Sequence, residues 1–552
     1  MRNIIFLLFF CFAVSCKNAN SSDARAPIEN TETSRESSDL SAISTKDFRE
    51  FKVLDSKNLT KAEIWEDINL QMTDFKEADY DRLKSLILEK DIMTLQKHIA
   101  DGKFNYEELT KFYLYRIRKF DRENSLSLNS VIAINPNVIE EAIKADKTKF
   151  ETTPHSIYGM PILLKDNVNA QGMPTTAGAV ALKDNLADDA FIVKQLKSKG
   201  ALILGKANLS EWAYFFCGEC PSGYSAIGGQ TLNPYGRRVI DTGGSSSGSG
   251  VSVAANFCAA AIGSETAGSI LSPASQNSTV GLKPTIGLVS RSGIVPISST
   301  LDTAGPITRT VMDNAIVLGA IFGEDTSDSK SFMTMWQSGF YTKDLKKASL
   351  KAKRFGAPKR LLTDTLYANA LKVLKSQGAE IVEIDEEQIG LPNFIRLLNL
   401  DMKTDLPAYM DGYANKSITL RTVSDVMYFN LNDSLKTMPY GQKLFKGIAD
   451  DKGDAQFLER IKDTLKTNGR HYFDIPMKAN NLDGFLSINN YHAAFAAVAE
   501  YPALTVPMGY TGEGVPKGLT FISKRLQEKQ LLEWAYVYEQ ASKARVAPKD
   551  YN

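Results

Sequence analysis

The sequence predicts an α/β protein, on two observations: short apolar runs alternate with stretches of helical spacing, and the composition is that of an ordinary folded chain. Pro161-Ile162-Leu163-Leu164 and Ala201-Leu202-Ile203-Leu204 read as buried strands, and the stretch from Asp189 to Lys199 between them reads as a helix. The 552 residues carry 65 Lys+Arg against 64 Asp+Glu and are 43% hydrophobic, which excludes wholesale disorder. A formal charge of +1 gives no global field for nucleic acid or anionic lipid, and four histidines leave little for a metal cluster. A small-molecule partner fits better, and the length reads as one large domain.

The elements follow in order. After Arg2, Ile4 to Val14 is an apolar run of 11 residues, shorter than the roughly 20 a membrane-spanning helix needs, and reads as an export signal. It ends in Ala13-Val14-Ser15-Cys16, which resembles a bacterial lipobox whose cysteine is lipidated and becomes the new N-terminus. The expected organisation is a signal peptide over 1–15, a flexible tether over 16–45 beginning at lipidated Cys16, and a folded domain over 46–552. An ordinary cleaved signal with an incidental Cys16 is the alternative. Lys17 to Thr45 is polar and without aromatic residues, so it cannot bury enough surface to fold. The expected location is the bacterial cell envelope, lipid-anchored or periplasmic.

Residues 60–150 read mainly as helices, among them Glu107 to Lys119 and Asn137 to Lys147. Strand signals return at Ala379 to Ile384, Leu504 to Val506 and Gly518 to Ile522. Cys217 and Cys220 form a lone Cys-x-x-Cys without the second pair that zinc needs; a loop disulfide and two free thiols both fit. Cys258, in the run Val251 to Ile262, reads as core.

Three glycine-bearing motifs compete for the chemistry. Gly200-Ala-Leu-Ile-Leu-Gly205-Lys206-Ala207 nearly spells a phosphate-binding loop, but Ala207 replaces the hydroxyl that would hold magnesium, and the aliphatic interior suits a buried strand. Gly244-Ser245-Ser246-Ser247-Gly248 matches the nucleophile elbow of α/β-hydrolases, with Ser246 as nucleophile and His471 or His492 as base. Arg237 to Thr242 is a poor strand to carry such an elbow.

The third reading joins Lys165-Asp166-Asn167, Pro174-Thr-Thr-Ala-Gly178, Gly205-Lys-Ala-Asn-Leu-Ser-Glu-Trp212, Gly243 to Gly250, Gly263-Ser-Glu-Thr-Ala-Gly-Ser269-Ile-Leu-Ser-Pro273, Gly281-Leu-Lys-Pro-Thr285 and Tyr501 to Pro507. In these ordered blocks the chain resembles the amidase signature family, from about residue 90 to residue 548. The resemblance implies a large mixed central sheet sandwiched between helices, no cofactor, and a Ser-Ser-Lys triad cleaving carboxamides through an acyl-enzyme. Carried over by motif, the nucleophile is Ser269, the bridging serine Ser245 after a cis peptide bond, and the base Lys165. Backbone amides around Thr266, Ala267, Gly268 and Ser269 would form the oxyanion hole, glycine at 268 keeping the approach clear.

The chemistry supports these roles. An amide needs an activated nucleophile, a stabilised oxyanion and a proton for the departing amine. A lysine can move protons only when neutral, and burial favours that form. Leu271 stands where many members carry arginine, and Glu265 where aspartate is common; with Gly287 to Arg291 and Ile294 to Ser298 this resembles the peptide-amidase branch, which deamidates C-terminal peptide amides. Asp166, Glu211 and Asp302 read as structural. The expected partners are a small-molecule or peptide amide and the membrane, through the anchor. The rivals are a lipid-anchored binding protein without turnover, an esterase using Ser246, and an oxidoreductase built on Cys217 and Cys220.

Overall fold

The largely apolar central strands are buried along their length, which calls for a sheet covered on both faces. In the computed structural model, which describes residues 51–122, 125–148, 153–337 and 339–551, thirteen strands lie among the described residues. They are β1 (Val131–Ile134), β2 (Pro161–Lys165), β3 (Leu202–Ala207), β4 (Tyr224–Ser225), β5 (Gly229–Gln230), β6 (Ala260–Glu265), β7 (Val280–Lys283), β8 (Thr303–Thr308), β9 (Arg354–Pro358), β10 (Glu380–Ile384), β11 (Gly484–Ile488), β12 (Ala503–Tyr510) and β13 (Pro516–Ile522). Eleven form one mixed sheet in the order β1-β3-β2-β6-β8-β7-β12-β13-β11-β9-β10, and β4 pairs with β5 alone. The expected α/β class and large mixed sheet are both present.

Strands β3, β2 and β6 run parallel, so the C-terminal ends of β2 and β6 sit together. That end is where α/β sheets place their ligand crevices. Ile162, Leu163 and Leu164 are fully buried, each contributing about 1.5–3 kcal/mol relative to exposure. The helix Ser247–Ala254 is buried at every residue and packs on β2, β3, β6 and β8; its Ser-Gly-Ser-Gly start allows close approach to the sheet. The helix Val311–Ile321, N-capped by the Thr310 hydroxyl, also packs against β7 and β8.

The near phosphate-loop is strand β3. A Cβ on Gly205 would lie 2.2 Å from the Ala133 carbonyl oxygen, so this glycine serves close strand approach. Lys206 is buried, donating to Val168 O at 2.6 Å and Thr175 Oγ1 at 2.7 Å, with Asp166 at 3.5 Å.

A second apolar core unites Trp212, Phe215 and Phe216 with the helices Phe394–Gly412, Val423–Leu431, Lys443–Asp450 and Ala455–Ala479. Trp212 packs against Phe445, with ring centroids 5.3 Å apart, and Phe216 O accepts from Leu444 N at 2.9 Å. Cys217 and Cys220, beside this junction, are joined in a disulfide, which settles the two readings of that pair. Cys258 is buried, as expected.

The expected helix from Asp189 to Lys199 runs Phe191–Ser198. The stretch 60–150 contains β1 as well as helices, a strand its helical reading passed over. Arg237 to Thr242 forms no strand. The expected signal, Cys16 and the tether over 16–45 lie outside the described residues. No helix among the described residues is long and apolar enough to cross a membrane.

Candidate active site

Lys165 is the last residue of β2 and has no exposed surface. Its Nζ donates to Ser245 Oγ at 2.7 Å, to Ser264 Oγ at 2.9 Å and to Ser264 O at 3.1 Å. All three partners are neutral. Burial pushes the Lys165 amine down to about 7, with Asp302 and Glu265 pulling only partly against it. A lysine in this state can exchange a proton with the hydroxyl it touches near neutral pH.

Ser245 is buried, and the Gly244–Ser245 peptide bond is cis, as the family resemblance implied. Its carbonyl accepts from Ser210 N at 3.0 Å. Ser246 N donates to Ser269 O at 3.2 Å, tying the serine-rich loop to the turn after β6. Ser269 itself is partly exposed, in contrast to Lys165 and Ser245.

The turn carrying Ser269 is fixed from below. Glu265 Oε2 accepts from Ile270 N at 2.7 Å and Leu271 N at 3.0 Å, and the Gly268 amide also leans on this carboxylate. Among the described residues, the backbone N–H groups of Thr266, Ala267 and Ser269 donate to no protein acceptor. They can receive an oxyanion. Gly268 has φ +99°, and a Cβ there would lie 2.9 Å from Asn490 Nδ2. Backbone conformation and the approach of Asn490 are thus two further reasons for glycine at this position.

Asp302 Oδ1 accepts from Thr266 Oγ1 at 2.6 Å, and its other oxygen accepts from the Ile297 and Ser298 amides at 2.8 and 2.9 Å. Asp166 accepts from the Thr176 amide at 3.1 Å, and Glu211 from Ala226 N at 2.9 Å. All three hold loops, as their structural reading expects.

Ser246 does not form a hydrolase elbow. Its Oγ donates to Ser264 O at 3.1 Å and accepts from Ser264 N at 3.2 Å. His492 is engaged elsewhere, with Ser487 Oγ at 2.5 Å and Glu386 Oε1 at 2.7 Å, and His471 is exposed.

An open cleft of about 820 Å³ borders this centre, reached through Asn167, Ser264 and Thr266. Its outer wall includes Arg291, Asp328, Asp405 and Tyr409. Sequence reasoning gave no role to Ser264, Asn167 or Asp405. Ser264 and Asn167 lie inside quoted motif blocks, but nothing local marks Asp405.

The family model described as Amidase matches residues 108–438. A probable amidase of Arabidopsis thaliana is 35% identical over 84% of this chain and 92% of its own length. The structure of an amidase family protein from Bacillus anthracis superposes with a TM-score of 0.84 at 38% identity, covering 90% of this chain and 99% of the other. The native peptide amidase of Stenotrophomonas maltophilia gives 0.79 at 38% identity, covering 84% and 98%. Matches spanning nearly the whole of each relative, over a sheet and loops arranged as described, lead to one conclusion: the chain belongs to the amidase signature family and is an amide hydrolase.

Proposed function

We propose that the chain hydrolyses carboxamides, C-terminal peptide amides among them, with Ser269 as nucleophile, Ser245 as proton bridge and Lys165 as base. The observation that carries this reading is the fully buried Lys165 amine, which donates to Ser245 Oγ at 2.7 Å and, among the described residues, forms no ion pair with a carboxylate. Ser269 attacks the carbonyl carbon as its proton passes through Ser245 to the neutral amine of Lys165. The oxyanion is received by the free amides of the Thr266–Ser269 turn. The resulting ammonium returns a proton through Ser245 to the departing nitrogen, the C–N bond breaks, and an acyl ester on Ser269 remains. Water, deprotonated by the same relay, then releases the acid. The likeness to the peptide amidase favours peptide amides over other carboxamides. Ammonia release from a panel of peptide amides, acyl amides and aryl amides is expected to be fastest for peptide amides. Hydrolysis of aryl amides alone would overturn that assignment.

We further propose that the enzyme works outside the cytoplasm, anchored through Cys16; the apolar run Ile4 to Val14 and the motif Ala13-Val14-Ser15-Cys16 support this. Full-length protein made in a bacterium is expected in the membrane fraction, with Cys16→Ser abolishing lipidation at that position. An unlipidated mature chain starting elsewhere would contradict it.

A further inference from the structure

The cleft beside the centre is rich in acidic side chains, with Asp302, Asp328 and Asp405 in its wall. Arg291, the one cationic side chain among the described residues lining it, is paired with Asp328 and held by three hydrogen bonds. Its Nε donates to Asp328 Oδ2 at 2.9 Å, one terminal nitrogen donates to Asp328 Oδ1 and the other to Ser299 O. The Ser298 hydroxyl donates to Asp401 at 2.5 Å, and the Tyr409 hydroxyl to Asn169 at 2.7 Å.

Two side chains of the lining bear on what it binds. Asn167, 2% exposed, donates through Nδ2 to Ser264 Oγ at 2.9 Å and Val295 O at 3.3 Å. The Val295 carbonyl fixes the amide orientation, because a carbonyl can only accept. Its Oδ1 is buried in the cleft wall without a partner. Asp405, on the helix Phe394–Gly412, accepts from Ser299 N at 2.5 Å, and among the described residues no cation pairs with it.

Resting on the proposed amide hydrolysis, we propose that this cleft selects carboxamides of basic residues, Asp405 receiving the side-chain ammonium or guanidinium and Asn167 Oδ1 accepting an N–H nearer the scissile group. Asp302, Asp328 and Asp405 outnumber Arg291 in the wall, so an added cation is attracted and an added carboxylate repelled. Burial pushes the Asp405 carboxyl up to about 7, with Asp401 and Asp302 adding to the effect, and a bound cation relieves that strain on its charge.

The test compares N-acetyl-lysinamide with N-acetyl-norleucinamide, which keeps the four side-chain carbons and lacks the terminal ammonium, at pH about 8.5, where Asp405 is ionised and the lysine ammonium is retained. The ratio of kcat/KM values is expected to favour lysinamide by about tenfold or more, to collapse toward one in Asp405→Asn, and to persist in Asp405→Glu. The ratio is unaffected by the fraction of folded enzyme. Calorimetric binding of the same pair to Ser269→Ala enzyme is expected to show the same preference. Equal rates or equal affinities in the native sequence, or a ratio unchanged by Asp405→Asn, would overturn the inference. Selective binding without hydrolysis of any carboxamide would instead overturn the proposed reaction and leave this selectivity standing.

Discussion

Lys165→Arg is expected to be as damaging as Lys165→Ala, each lowering kcat/KM by about 10²–10⁴-fold, the range for losing a general base. Arginine keeps the positive charge but stays protonated in proteins, so it cannot take a proton from Ser245. A lysine acting only as a fixed cation would be rescued by arginine. The pH dependence follows from the same burial. The amine is pushed down to about 7, so the neutral base predominates above that pH and is lost below it. The acidic limb of kcat/KM, which reports the free enzyme, should fall about tenfold per pH unit below about 7. Substantial activity in Lys165→Arg, with folding intact by circular dichroism, would contradict the assigned role.

Ser269→Ala is expected to lower kcat by about 10⁴-fold or more, because no covalent intermediate can form. Ser246→Ala should behave differently. Its hydroxyl bridges Ser264 O and Ser264 N at 3.1 and 3.2 Å inside the core, so its loss should lower stability by about 1–3 kcal/mol while retaining activity within about tenfold. Chemical denaturation and steady-state rates on the two variants separate the roles. The reverse pattern would restore the hydrolase elbow at Ser246.

Much of the centre was legible because its residues lie in contiguous blocks. Lys165 ends an apolar run, and the Gly243–Gly250 and Gly263–Pro273 blocks carry the two serine-bearing loops. Glycine in these blocks answers contacts that a sequence does not display: a Cβ on Gly244 would meet Ser210 Oγ at 2.6 Å, and one on Gly263, within β6, would meet Ser246 Oγ at 2.9 Å. The contact at Gly268 is equally invisible in the sequence, since Asn490 comes from the turn after β11, 222 residues later.

Strand β1 was missed because its four apolar residues have no periodicity that separates strand from helix, and its flanks are helical. The helices from Phe394 to Ala479 carry none of the quoted motifs. Only tertiary packing brings Asp405, 136 residues beyond Ser269, into the cleft wall. The fate of the Cys217 and Cys220 pair likewise depends on a loop geometry, with Cα atoms 5.8 Å apart, that spacing alone does not fix.

The most direct measurement of the central claim is peptide mapping after treatment with a serine-directed fluorophosphonate. A single adduct on Ser269 is expected, absent from Ser269→Ala and strongly slowed in Lys165→Ala, because the nucleophile depends on the neutral lysine for activation. An adduct on Ser246, formed at an undiminished rate in Lys165→Ala and dependent on His471 or His492, would contradict it.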